Sequence, residues 1–136
     1  MKYNGIIENK LRVIEEKIEM IQSWKIDSLD QLKINSMLQN AVERALQVAV
    51  EAMIDITERI LSLKKIPPQK SSSESMKKLQ ELHILKNASN YEEMIRFRNF
   101  IVHRYDNIDL KIVYKIVSKM LPLFSQFVDE IRKSYV

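Results

Sequence analysis

Only one glycine and three prolines occur in the 136 residues of this chain. Glycine supplies the left-handed conformations that tight turns need, and proline interrupts helices. A chain with so few glycines and prolines favours long helices over hairpins and tight turns. Hydrophobic residues make up 46% of the sequence, which is enough for a buried core. The sequence therefore predicts an all-α protein with a single domain over residues 1–136.

Several classes of protein are disfavoured by what the sequence lacks. Cysteine is absent, which excludes disulfides, thiolate nucleophiles and cysteine metal ligands. No apolar run approaches the roughly 20 residues that span a bilayer, so we expect a cytoplasmic protein without membrane contact. The formal net charge of +4 permits contact with a polyanion, although ordinary solubility explains it more simply.

Apolar residues at steps of three and four keep one side of a helix buried. A first helix is predicted from about residue 3 to residue 25, with a core stripe of Ile7, Leu11, Ile14, Ile18 and Ile21. A second apolar stripe on the same helix is formed by Ile6, Val13 and Met20. Two stripes indicate more than one neighbour, which is either another helix of this chain or, as we favour, a second subunit.

A longer helix is predicted from about residue 29 to residue 64 without interruption. Ser28 and Gln31 are spaced as a capping box at its start, in which each side chain binds a backbone N–H near the other residue. Pro67 and Pro68 follow its end and prevent its continuation.

The second half of the chain predicts three further helices. A short one covers residues 75–85, a fourth covers residues 91–102, and the last runs from residue 110 to about residue 135. Asp109 is a suitable cap for the last helix, and Pro122 should kink or break it. The expected fold is an antiparallel bundle of four main helices plus one short helix.

The sequence offers little conventional catalytic chemistry. The two histidines, His83 and His103, are far apart in sequence and match no metal-binding spacing, so no metal site is predicted. One glycine cannot build a phosphate-binding loop or a dinucleotide fingerprint. His83 falls within the predicted short helix and is expected to be a partly buried structural residue.

His103 lies in the segment RNFIVHRY, residues 98–105, with a concentration of positive charge around it. Arg96, Arg98 and Arg104 suit the binding of a phosphate. They also favour the neutral form of the imidazole, which is the form that a general base needs. The apolar residues between the arginine and the histidine are expected to anchor this helix end in the core; they are Phe100, Ile101 and Val102.

The spacing of Arg98 and His103 leaves two interpretations open. Five residues correspond to roughly 140° of rotation on a straight helix, so the two side chains do not point together. They can converge if the last turn unwinds, or if two copies of the chain share one cleft. An imidazole and a guanidinium are sufficient for metal-free RNA cleavage. A histidine at a helix end is, however, more often a cap or an interhelical hydrogen-bond partner.

RNFIVHRY resembles the R-x4-H-x-Y motif of the HepT toxins, a branch of the HEPN superfamily. ERALQVAVEAMIDITERI resembles their long second helix, and MIRFRNFIVHRYDNIDLKIVY resembles their fourth helix, turn and start of the last helix. The resemblance implies a HEPN-like helical homodimer whose two motifs face one cleft. It also implies the toxin of a type VII-like toxin–antitoxin system, acting on RNA as a metal-independent endoribonuclease with no cofactor.

The resemblance also assigns roles by position in the motif. Arg98 and His103 match the catalytic pair, and Asn99 is the orienting neighbour of the arginine. Tyr105 matches the tyrosine that receives AMP from a minimal nucleotidyltransferase antitoxin, which would place an anion beside the arginines. The alternative is a non-catalytic nucleotide-binding or adaptor subunit that serves as the substrate of such a nucleotidyltransferase. A purely structural helical dimer is a third interpretation.

Overall fold

The computed structural model describes residues 5–103 and 109–135, with the side chains of these residues except 102, 103 and 135. Within these ranges all regular structure is helical, which confirms the all-α prediction. The α-helices are α1 (Gly5–Ser23), α2 (Leu29–Ile34), α3 (Ser36–Leu63), α4 (Ser72–Glu81), α5 (Glu92–His103), α6 (Leu110–Lys115) and α7 (Leu121–Tyr135). A 3-10 turn, Ala88–Tyr91, precedes α5, and a π-helical turn, Ile116–Met120, joins α6 to α7. No helix within the described ranges is long and apolar enough to cross a membrane.

The four main helices of the bundle are α1, α3, α5 and the α6–α7 pair, as the apolar pattern predicts. The long central helix α3 packs against α1, α4 and α5, while α7 packs against α1. An ion pair between Lys10 Nζ and Asp55 Oδ2, 3.2 Å apart, joins the start of α1 to the second half of α3. Because a short connection also joins the end of α1 to the start of α3, these two helices are antiparallel.

The prediction of one uninterrupted helix from residue 29 to residue 64 is wrong, because Asn35 divides it. Asn35 adopts an extended backbone, and its Oδ1 accepts a hydrogen bond from the Leu38 N–H at 3.0 Å. This contact replaces a helical hydrogen bond with a cap, the usual way in which asparagine ends one helix and starts another. The capping box of Ser28 and Gln31 is confirmed at the start of the short helix α2.

Within the described part of the chain, three helix ends use a left-handed residue that is not glycine. Lys25, Lys65 and His83 have φ angles of 49°, 60° and 63°. After α3, the Lys65 N–H donates to the Ser62 carbonyl and the Ile66 N–H to the Leu61 carbonyl, both at 2.9 Å. This is the hydrogen-bond pattern of a Schellman motif, in which glycine is the usual left-handed residue.

His83 forms the same kind of helix end, so its predicted position in the middle of a helix is wrong. Helix α4 ends at Glu81, and the His83 N–H donates to the Gln80 carbonyl at 2.9 Å. The His83 side chain is exposed rather than partly buried. Its left-handed backbone turns the chain toward the 3-10 turn that leads into α5.

The last helix is interrupted ahead of Pro122, as its sequence predicts. Proline has no N–H to donate to the carbonyl of Ser118, four residues earlier, and its ring crowds that carbonyl. The backbone responds with the π-helical turn between α6 and α7. Asp109 caps α6 as predicted, since its Oδ1 accepts the Lys111 N–H at 2.9 Å.

The start of α5 is fixed against α7 by Tyr91. The Tyr91 ring is fully buried and meets the ring of Phe127 edge-on, with centroids 5.4 Å apart. Its hydroxyl donates to Glu130 Oε1 at 2.6 Å. Burial and the neighbouring Glu130 carboxylate raise the pKa of Tyr91 well above its ordinary value, so the phenol keeps its proton. This contact fixes the position of the start of α5, the helix that contains Arg98 and His103 of the motif.

Candidate functional site

Helix α5 carries the candidate site on the side that faces away from the core. Its inner face consists of the buried residues Met94, Ile95, Phe97 and Ile101. Arg96 and Asn99 are exposed on the other side of the helix. Ile101 anchors this part of the helix as predicted, but Phe100 does not, since 36% of its surface is exposed. Successive helical residues are about 100° apart, so three neighbours cannot all face the core.

The backbone of α5 remains α-helical as far as His103. Arg98 and His103 therefore stay on the same regular helix, roughly 140° apart around its axis. The described backbone of α5 has no unwound turn between these two residues. The other route considered, a cleft shared by two copies of the chain, stays a prediction.

Arg98 is half-buried and only partly satisfied by hydrogen bonds. Its Nη1 donates to the side-chain Oδ1 of Asn99 at 3.2 Å. Its Nε is buried and has no hydrogen-bond partner among the described residues. Because this Nε is buried, a ligand from solvent does not reach it in this conformation; the binding of a phosphate oxygen would use the other nitrogens of the guanidinium.

Arg96 is held in a small charge cluster on the same helix. Its Nη1 lies 3.1 Å from Glu93 Oε1, and the Lys115 Nζ of α6 lies 3.6 Å from the same oxygen. Two cations therefore share one carboxylate, and Asp109 on the same surface supplies a second acid, so cations and acids among the described residues are equal in number at this edge of α5. Both cations are well exposed, so a phosphate can reach them.

The remaining residues of the predicted site lie at the edge of the described part of the chain. Arg104 and Tyr105 are outside the described residues, and so are the side chains of His103 and of Val102, the third predicted anchor. Among the described side chains, the structure brings Arg98 together with Asn99 and brings Arg96 together with Glu93. His83 is not part of this group, because it lies in a groove beside α7.

One feature of this surface was missed by the sequence reasoning. Phe100 of α5 and Ile112 of α6 are both 36% exposed, and they face a small hollow that Glu93, Arg96, Phe97 and Asp109 also line. The sequence contained a signal for the exposure of Phe100. Adjacent positions of a helix face different directions, so Phe100 does not face the core together with Ile101.

Comparisons with known proteins agree with this architecture. Residues 14–131 match the model of the family described as "Ribonuclease HepT-like". The mRNA nuclease HepT of Shewanella oneidensis is 34% identical over 83 residues, which are 60% of this chain and 62% of that protein. The aligned part is therefore less than two thirds of that relative's length.

Solved structures extend the similarity over nearly the whole chain. The tri-AMPylated HEPN toxin of Shewanella oneidensis, in complex with its MNT antitoxin, is 33% identical with a TM-score of 0.86, over 96% of this chain and 99% of that one. A toxin–antitoxin structure with AMP-PNP is 32% identical with a TM-score of 0.87, over 96% of this chain and 100% of that one. The cytosolic protein YutE of Bacillus subtilis, 17% identical with a TM-score of 0.80 over 93% of this chain and 86% of that one, shares the fold. The match to the family model covers most of the chain, and the protein therefore belongs to the family of HepT-like ribonucleases.

Proposed function

We propose that this protein is the toxin of a toxin–antitoxin pair and that it cleaves RNA without a metal ion. The proposal is supported by the similarity to the mRNA nuclease HepT and to a HEPN toxin solved with its MNT antitoxin. The observation in this chain that carries it is Arg98, a half-buried guanidinium on the motif helix whose Nη1 donates to the side chain of Asn99. A guanidinium is a suitable ligand for a phosphate oxygen.

In the proposed reaction, His103 acts as the general base. Its imidazole takes the proton of a 2′-hydroxyl, and the 2′-oxygen attacks the adjacent phosphorus. The bond from phosphorus to the 5′-oxygen breaks, and this oxygen takes a proton from a water molecule, which gives a 2′,3′-cyclic phosphate and a 5′-hydroxyl. The hydroxide that remains takes the proton from the protonated His103, which regenerates the neutral imidazole. Arg98 holds the phosphate and balances the negative charge that develops at phosphorus. Asn99 orients Arg98 through the hydrogen bond between their side chains.

The active species in this proposal is a homodimer with the two motifs facing one cleft. Because α5 stays helical through His103, the backbone positions of Arg98 and His103 are roughly 140° apart around its axis, which supports a site that combines Arg98 of one copy with His103 of the other. Arg96 and Arg104 contribute positive charge that attracts the RNA backbone.

Silencing of the toxin is proposed to occur by transfer of AMP to Tyr105 from a nucleotidyltransferase antitoxin. The Shewanella oneidensis toxin in the solved complex is AMPylated. An AMP group two residues after His103 would place a bulky anion beside Arg96, Arg98 and Arg104, where it competes with the RNA phosphate.

RNA cleavage by purified protein in the presence of EDTA tests this function. We expect cyclic phosphate ends from the wild type, and loss of about two orders of magnitude or more in rate for Arg98→Ala and for His103→Ala. Arg12→Ala and His83→Asn are the matched controls, because Arg12 is exposed on α1 and asparagine tolerates the left-handed backbone of position 83. Full activity in both motif variants would exclude the proposed site.

A further inference from the structure

We draw no further inference here: the strongest candidate, the partly exposed apolar stripe of Ile6, Val13 and Met20 along the outer face of α1, carries nothing, because nothing in the structure shows what covers it.

Discussion

Arg132 of α7 and Glu8 of α1, separated by 124 positions in the sequence, form a two-pronged ion pair. The Arg132 Nη2 and Nε lie 2.7 and 3.4 Å from the two carboxylate oxygens of Glu8. The same guanidinium donates to Glu15, one heptad further along α1, at 2.8 and 2.9 Å. The first and last helices are thus joined by one side chain that contacts two carboxylates. This fixes the bundle against which α5 packs.

Replacement of Arg132 by methionine should destabilise the protein. Glu8 is nearly buried and, among the described residues, would keep only Arg12, whose Nε lies 3.8 Å away. A hydrogen bond to a charged group contributes about 1.5–3 kcal/mol, and because the Arg132 side chain is 32% exposed and its charge is screened by solvent, we expect a total loss in that range rather than the sum over its contacts. Urea denaturation measures it, with Arg12→Met as the control at below about 1 kcal/mol. An equal loss in the two variants would show that the ion pair of Arg132 has no special role.

The stability of the protein should fall in acid because of Glu15. The hydrogen bond from Arg132 holds the pKa of Glu15 below its ordinary value of 4.5. A carboxylate with a depressed folded pKa contributes stability above its unfolded pKa and loses it as the pH falls through the folded value. Thermal melts between neutral pH and about pH 3 should therefore show a smaller fall in Tm for Glu15→Gln than for the wild type. Identical pH profiles would contradict this assignment.

Glycine at position 65 should stabilise the protein. Lys65 has a φ of 60°, which disfavours residues with a Cβ by about 1–2 kcal/mol, although glycine also gains entropy in the unfolded chain. We expect a net gain of about 0.5–1 kcal/mol in the free energy of unfolding for Lys65→Gly. Lys64→Gly is the matched control, because Lys64 has a φ of −87° and should lose stability. A loss of stability in both variants would contradict the strain at Lys65.

Local chemistry explains why much of this fold could be predicted from its sequence. The capping box at Ser28, the Asp109 cap and the break ahead of Pro122 each depend on residues within one or two turns. The break at Asn35 was missed because asparagine occurs both within helices and at their ends, and the apolar spacing continues across it. The helix end at His83 was missed for a related reason. A helix end with a left-handed residue is usually recognised in a sequence by its glycine, and this one has a histidine instead.

The candidate site was less predictable than the fold. The motif identified Arg98 and its neighbour Asn99, whose side chains the structure joins by a hydrogen bond. The exposure of Phe100 could have been predicted from its helical position next to Ile101, whereas the burial of the Arg98 Nε depends on packing around α5, which local sequence does not set. In the proposed homodimer, the meeting of Arg98 with His103 would depend on a second copy of the chain, whose position one sequence does not contain.

Transfer of AMP should depend on Tyr105 and should abolish RNA cleavage. After co-expression with a nucleotidyltransferase of the MNT type, we expect intact-protein mass spectrometry to find added AMP on the wild type but not on Tyr105→Phe. Tyr114→Phe should remain modified, because the Tyr114 hydroxyl is already engaged with the Asp27 carbonyl at 2.8 Å. Modified protein that cleaves RNA at the wild-type rate would contradict silencing. AMP transfer without any cleavage by unmodified protein would favour the adaptor alternative.

Mixtures of two inactive variants should regain activity if the site combines two copies of the chain. In the proposed dimer each of the two sites takes Arg98 from one copy and His103 from the other. When one copy carries Arg98→Ala and its partner carries His103→Ala, one site has both substitutions and the other site has an intact arginine and an intact histidine. Equal mixing after denaturation and refolding makes half of the dimers mixed, so we expect about a quarter of the wild-type cleavage rate. Each variant refolded alone should remain inactive. Because α5 stays helical from Arg98 to His103, a site built within one chain would require the two residues to act from different faces. Absence of recovery, with mixed dimers demonstrated by differently tagged chains, would show that each site belongs to a single chain.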